Sequence, residues 1–166
     1  MDWLQVIVQW LHVFFGIFWF GSTLYADLIL VPAVMSLPVA RQREVVAPIG
    51  SRSVKLLEPV AGLVILLGFL RGTVFGQIRS LEALMTVYGV TWLVALVAAI
   101  ALFYWAFRVL PPAIERMNAI PLDAEANEGS NDAFAAALSR VKRISLLELV
   151  GFLIIFTCMI LMRFGL

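Results

Sequence analysis

The sequence predicts an all-α membrane protein of four transmembrane helices, arranged as two tandem parallel-repeat hairpins. Three observations predict it. Hydrophobic residues make up 63% of the 166-residue chain and charged residues only 14%, far from the roughly 45–50% and about 25% of soluble domains. The apolar residues gather in four long runs, at about residues 3–34, 56–75, 84–110 and 144–164. A Leu-Leu-Glu step also recurs at the start of the second and fourth runs, as Leu56-Leu57-Glu58 and Leu146-Leu147-Glu148.

Each run can cross a hydrocarbon core of roughly 30 Å at about 1.5 Å per residue. A bilayer admits only helices or closed barrels, and the runs lack the alternation of barrel strands, so they read as helices. The first run is overlong and should tilt or extend past the membrane. It follows Met1-Asp2-Trp3 with no basic n-region, so it is expected to stay as a helix rather than be cleaved. The second and third runs are joined by a short loop. Between the third and fourth, residues 117–133 are polar and acidic, with Asp123, Glu125, Glu128 and Asp132. That composition predicts a flexible cytoplasmic loop. The whole chain, 1–166, reads as a single transmembrane domain.

Basic residues predict the orientation. Arg41, Arg43, Arg52, Lys55, Arg108, Arg116, Arg140, Lys142 and Arg143 collect on one side, against Arg71, Arg79 and Arg163 on the other. The first and third loops are therefore expected in the cytoplasm and both termini outside, in a bacterial cytoplasmic membrane. A net charge of +1 points to no nucleic-acid partner. The lone cysteine, Cys158, allows neither an intrachain disulfide nor a cysteine-based metal site.

The two halves, about 1–76 and 83–166, echo each other. Pro32-Ala33-Val34 matches Pro112-Ala113-Ile114, and each Leu-Leu-Glu is preceded by Ser-Arg and followed by Gly. Both halves begin outside, so the repeat is parallel, with an expected pseudo-two-fold axis along the membrane normal.

The chemistry-bearing residues are few. His12 is the only histidine. His12, Gly16, Trp19, Thr23 and Asp27 share one helix face, which should point into the bundle with Gly16 permitting close helix approach. His12 reads either as a ligand to haem iron or another metal, or a proton relay, or as a buried histidine bonded to a neighbouring carbonyl or hydroxyl. Asp27, Glu58, Arg108 and Glu148 fall at similar depth. They read as a polar cluster that moves protons or binds a cation or head group. The alternative is ion pairs at the interface, with both glutamates held by helix N-termini.

The segment from His12 through Gly16, Trp19 and Gly21 to Tyr25 resembles the first helix of small membrane proteins of the copper-resistance D and membrane protoporphyrinogen oxidase (HemJ-like) superfamily. The pattern is a His, a Trp seven residues on, small residues and a Tyr. Glu58-Pro59-Val60-Ala61-Gly62 is similar to the oxidase type's second helix, and residues 143–164 to its last. The resemblance implies haem b at His12, with Trp19 and Tyr25 beside it, and electron or proton transfer or porphyrin-related oxidoreductase chemistry. The family's third-helix His and Lys are missing from Trp92-Leu93-Val94-Ala95-Leu96, so His12 alone carries over as a ligand. A cofactor-free structural or accessory subunit, or a transporter-like protein, is the other reading. The expected partners are the lipid bilayer and a second copy of the chain or a larger membrane complex.

Overall fold

The computed structural model describes residues 3–37, 39–120 and 128–166. The first span is α1 (Trp3–Tyr25), a π-turn (Ala26–Leu30) and α2 (Val31–Met35); the second is α3 (Val39–Gly72). A short α4 (Leu81–Leu84) leads into the third span, made of α5 (Val87–Tyr104), a second π-turn (Trp105–Val109) and α6 (Leu110–Asn118). The fourth is α7 (Glu128–Arg163), and the described residues contain no strand. Four helical stretches are long and apolar enough to cross a membrane: Trp3–Met35, Pro48–Gly72, Val87–Asn118 and Ala136–Arg163. The chain thus has the build of a multi-pass membrane protein.

Two elements extend beyond the apolar runs. α3 starts at Val39 and α7 at Glu128, well before Leu56 and Ile144. Helix also takes both ends of the stretch 117–133 that composition reads as a flexible loop; its middle, residues 121–127, lies outside the described residues. The alanine-rich stretch 133–137 explains the early start of α7, since alanine has the highest helix propensity.

The π-turns have a common cause. Proline has no N–H, and its ring collides with the carbonyl four residues back. Widening the preceding turn relieves the collision. The Val31 N–H accordingly reaches back five residues to the Ala26 carbonyl, just before Pro32. The Leu110 N–H reaches five back to the Trp105 carbonyl, just before Pro111. Each π-turn begins six residues ahead of its proline.

α1 packs along α3 and α5 along α7, with α3 and α5 in a narrower contact and α1 meeting α7 over a short stretch. The core is small: Trp19, Ala61, Val64, Leu102 and Phe152, one or two residues from each span. The Trp19 ring meets Phe152 edge-on at 5.0 Å, and Phe20 lies 5.1 Å from the same ring. Most other large apolar side chains, such as Leu66, Val97 and Leu153, face outward. That is the distribution a lipid solvent requires.

The closest helix approach lies on α3, not at Gly16. A Cβ on Gly16 would meet nothing within 4 Å, so the expected tight contact there is absent. A Cβ on Gly72 would run into the Trp92 indole, and one on Gly68 would lie 2.9 Å from His12 Cε1. The sequence reading chose the glycine on the polar face of α1. The structure uses glycines on α3 because the bulky rings of α1 and α5 converge there.

Gly72→Ala is therefore expected to destabilise the protein by about 1–3 kcal/mol through overpacking. Gly16→Ala should be neutral or stabilising by up to about 1 kcal/mol, from its better helix propensity. Thermal unfolding in detergent, followed by circular dichroism, compares the two.

Candidate functional site

Polar side chains on α1 form two centres. The first is a seam against α3. Gln5, Gln9 and His12 recur at i, i+4 and i+7, one helical face. Gln5 Nε2 donates to the Phe75 carbonyl at 3.2 Å, and Arg71 Nε donates to Gln9 Oε1 at 2.6 Å. His12 Nδ1 lies 3.0 Å from the Val64 carbonyl oxygen. A carbonyl can only accept, so Nδ1 carries the hydrogen and the neutral ring keeps its lone pair on Nε2.

The imidazole rests against Gly68, whose missing side chain makes room for it. Trp92 reaches the same glycine from α5, its indole Nε1 3.5 Å from the Gly68 carbonyl oxygen. His12 and Trp92 thus grip one step of α3 from two sides.

Trp19 and Tyr25 do not join His12. Trp19 is 3% exposed and packs in the core on Phe152; Tyr25 is 55% exposed. At about 1.5 Å per residue they lie roughly 10 and 20 Å further along the helix. Of the two residues that the resemblance sets beside His12, one lies in the core and the other at the surface.

The second centre lies where the first span meets α7. Asp27 sits inside the first π-turn, and Ser145 Oγ donates to its Oδ1 at 2.5 Å. Asp27 Oδ2 is buried and has no hydrogen-bond partner. Glu148, one turn beyond Ser145, is only 4% exposed, and its charge interacts with that of Asp27. The second π-turn docks beside them: Trp105 Nε1 donates to the Ile144 carbonyl at 3.0 Å. Both π-turns therefore bond adjacent residues of α7.

The four residues read as one polar cluster separate into two pairs. Arg108 lies 3.9 Å from Glu58 in a largely exposed contact, whereas Glu148 is buried on α7 one turn from Ser145, the residue that bonds Asp27. The helix-dipole account of the glutamates also fails. α3 starts at Val39 and α7 at Glu128, so both glutamates stand roughly five turns from the nearest helix N-terminus, beyond the reach of its partial charge. Ser145 was missed from the sequence. Its signal was there, a hydroxyl three residues before Glu148 on one face of an apolar run.

Among the described residues, no three His, Cys, Asp or Glu side chains gather as a metal-binding group. No family model, curated protein or solved structure matches the chain.

His12→Ala is expected to destabilise the protein by about 1–3 kcal/mol, leaving the seam without its hydrogen bond. Trp19→Ala should cost about 3–5 kcal/mol as a buried aromatic truncation, and Tyr25→Ala should stay within about 0.5 kcal/mol as a surface change. Unfolding midpoints of the three variants in one detergent check this order.

Proposed function

We propose that the chain is a four-span protein of a bacterial cytoplasmic membrane that serves electron or proton transfer, with haem b bound through His12. One observation carries the reading. The imidazole lies within a membrane-spanning helix, and its Nδ1 is committed to the Val64 carbonyl. That hydrogen bond sets the ring orientation and leaves Nε2 as the free donor atom, the arrangement that metal-ligating histidines adopt. The likeness of residues 12–25 to the copper-resistance D and HemJ-like superfamily supports the same reading.

The donor set would supply one ligand to the iron and no more. His12 is the only histidine, so a second imidazole would come from a second copy of the chain. Trp19 and Tyr25 would stand away from the iron, one in the core and one at the surface. Bound haem supplies a one-electron couple. The protein's share is to aim Nε2, through the Val64 carbonyl and the Gly68 seat.

The arrangement of the spans fits a duplicated hairpin. Matching Pro-Ala and Leu-Leu-Glu segments support this, and so do the two π-turns placed six residues before a proline. The nine basic residues at one end, against three at the other, support a cytoplasmic location for that end with both termini outside.

A second reading rests on the same seam. His12 ties α1 to α3 through Nδ1, a role that a cofactor-free structural or accessory subunit would need as well. Visible spectra of the detergent-purified protein, oxidised and reduced, separate the two. The haem reading expects a Soret band in the wild type that is lost in His12→Ala, with helical content retained. A colourless wild type would leave only the structural role. For topology, Val45→Cys and Ala126→Cys in a Cys158→Ala background are expected to react only with reagents that reach the cytoplasm; labelling from outside would reverse the orientation.

A further inference from the structure

The haem reading leaves Asp27 and Glu148 without a role, although they are the most costly groups in the bundle to bury. Glu148 is 4% exposed, and no described hydrogen bond or ion pair reaches its carboxyl group. Asp27 has one oxygen bonded by Ser145 and the other, Oδ2, buried with no partner. The charge of Asp27 acts on the Glu148 carboxyl group. Two independent features, an unpartnered buried glutamate and an orphaned aspartate oxygen, therefore point at the same spot.

The charged groups on the surrounding elements are engaged elsewhere or turned outward. On α3, Lys55 is exposed and Glu58 lies beside Arg108. On α6, Glu115 and Arg116 are exposed. On α7, Lys142 and Arg143 are exposed, and Arg143 Nε donates to the Ser139 carbonyl at 3.4 Å. On the first span, Tyr25 faces outward. Among the described residues, no ion pair joins either carboxylate to a cation.

Two adjacent carboxylates cannot both stay ionised in a low-dielectric interior without a compensating positive charge. That charge is either a metal cation or a proton. Hard cations such as calcium gather about 6–8 oxygen ligands. Here there are two carboxyl groups and one hydroxyl, whose hydrogen already goes to Asp27. A proton needs only one carboxylate oxygen. We propose that Asp27, Ser145 and Glu148 form an intramembrane proton-binding site that holds one proton for its two carboxyl groups. Asp27 Oδ1 already accepts from Ser145, whereas no described hydrogen bond reaches Glu148, which is therefore the carrier. Binding takes one proton from water, converts one carboxylate to a carboxylic acid and leaves the pair with one negative charge. The site goes beyond the haem reading and stands whether or not His12 holds a cofactor.

Infrared difference spectra of the full chain in lipid vesicles, taken between neutral and strongly alkaline pH, test it. The wild type should show one protonated-carboxyl C=O band at neutral pH. Glu148→Gln should reduce that band to background, while Glu58→Gln, which alters only the pair with Arg108, should leave it intact. If Glu148→Gln fails to fold, Asp27→Asn decides: the band should shift in frequency as its neighbour becomes a carboxamide. Helical circular dichroism reports folding of each variant. A wild type with no such band overturns the proposal, and so does a band unmoved by Glu148→Gln or by Asp27→Asn. A band that appears in choline chloride but vanishes in sodium chloride also overturns it, in favour of a metal-cation site.

Discussion

Within a bilayer, every backbone N–H and C=O must find its partner inside the protein, because no water is there to replace it. The described architecture follows from that constraint. It makes the four spans helical throughout, and it explains why each proline break is repaired locally. Ahead of Pro32 and Pro111 the chain does not open into a loop. It widens by one residue into a π-turn, and the amide after each turn still reaches a carbonyl. Polar side chains obey the same rule. The Val64 carbonyl takes a second bond from His12, and the Ile144 carbonyl takes one from Trp105.

Packing between the spans is concentrated rather than spread. Lipid tails are as apolar as the side chains, so burial of apolar surface alone does not hold helices together. What remains is close fit and interhelical hydrogen bonds. α3 supplies the fit by presenting Gly68 and Gly72 to the rings of His12 and Trp92. α1 supplies the hydrogen bonds through Gln5, Gln9 and His12. The aromatic contacts of Trp19 and Phe20 with Phe152 then tie the first hairpin to the second.

The acidic residues show how the same chemistry takes different roles at different exposure. Glu58 and Arg108 meet at 3.9 Å with much of both side chains exposed. Such a pair contributes about 0–1 kcal/mol, and neither partner is costly to keep charged. Glu148 is buried and so is Asp27 Oδ2, and Ser145 ties Asp27 to the helix that carries Glu148. π-turns are frequent at functional sites, and here one carries Asp27 while the other docks on the residue preceding Ser145.

The sequence by itself determined the number of spans, their helical state and their apolar outward faces. These depend on hydropathy and run length, which are local properties. It also marked His12 and the acidic residues, because polarity inside an apolar run is visible without coordinates. Where the helices begin was not legible. Val39 and Glu128 lie in polar stretches, where propensity and context, not hydropathy, extend a helix. Only the tertiary structure decided which polar residues meet. It tied His12 to Val64, sent Trp19 to the core and Tyr25 to the surface, and moved the close approach from Gly16 to Gly68 and Gly72. It also parted Glu58 and Arg108 from Asp27 and Glu148 and brought in Ser145. Depth along a helix can be counted from the sequence. The direction in which a side chain points relative to its neighbours depends on helix rotation and crossing, which the packing of all four spans sets together.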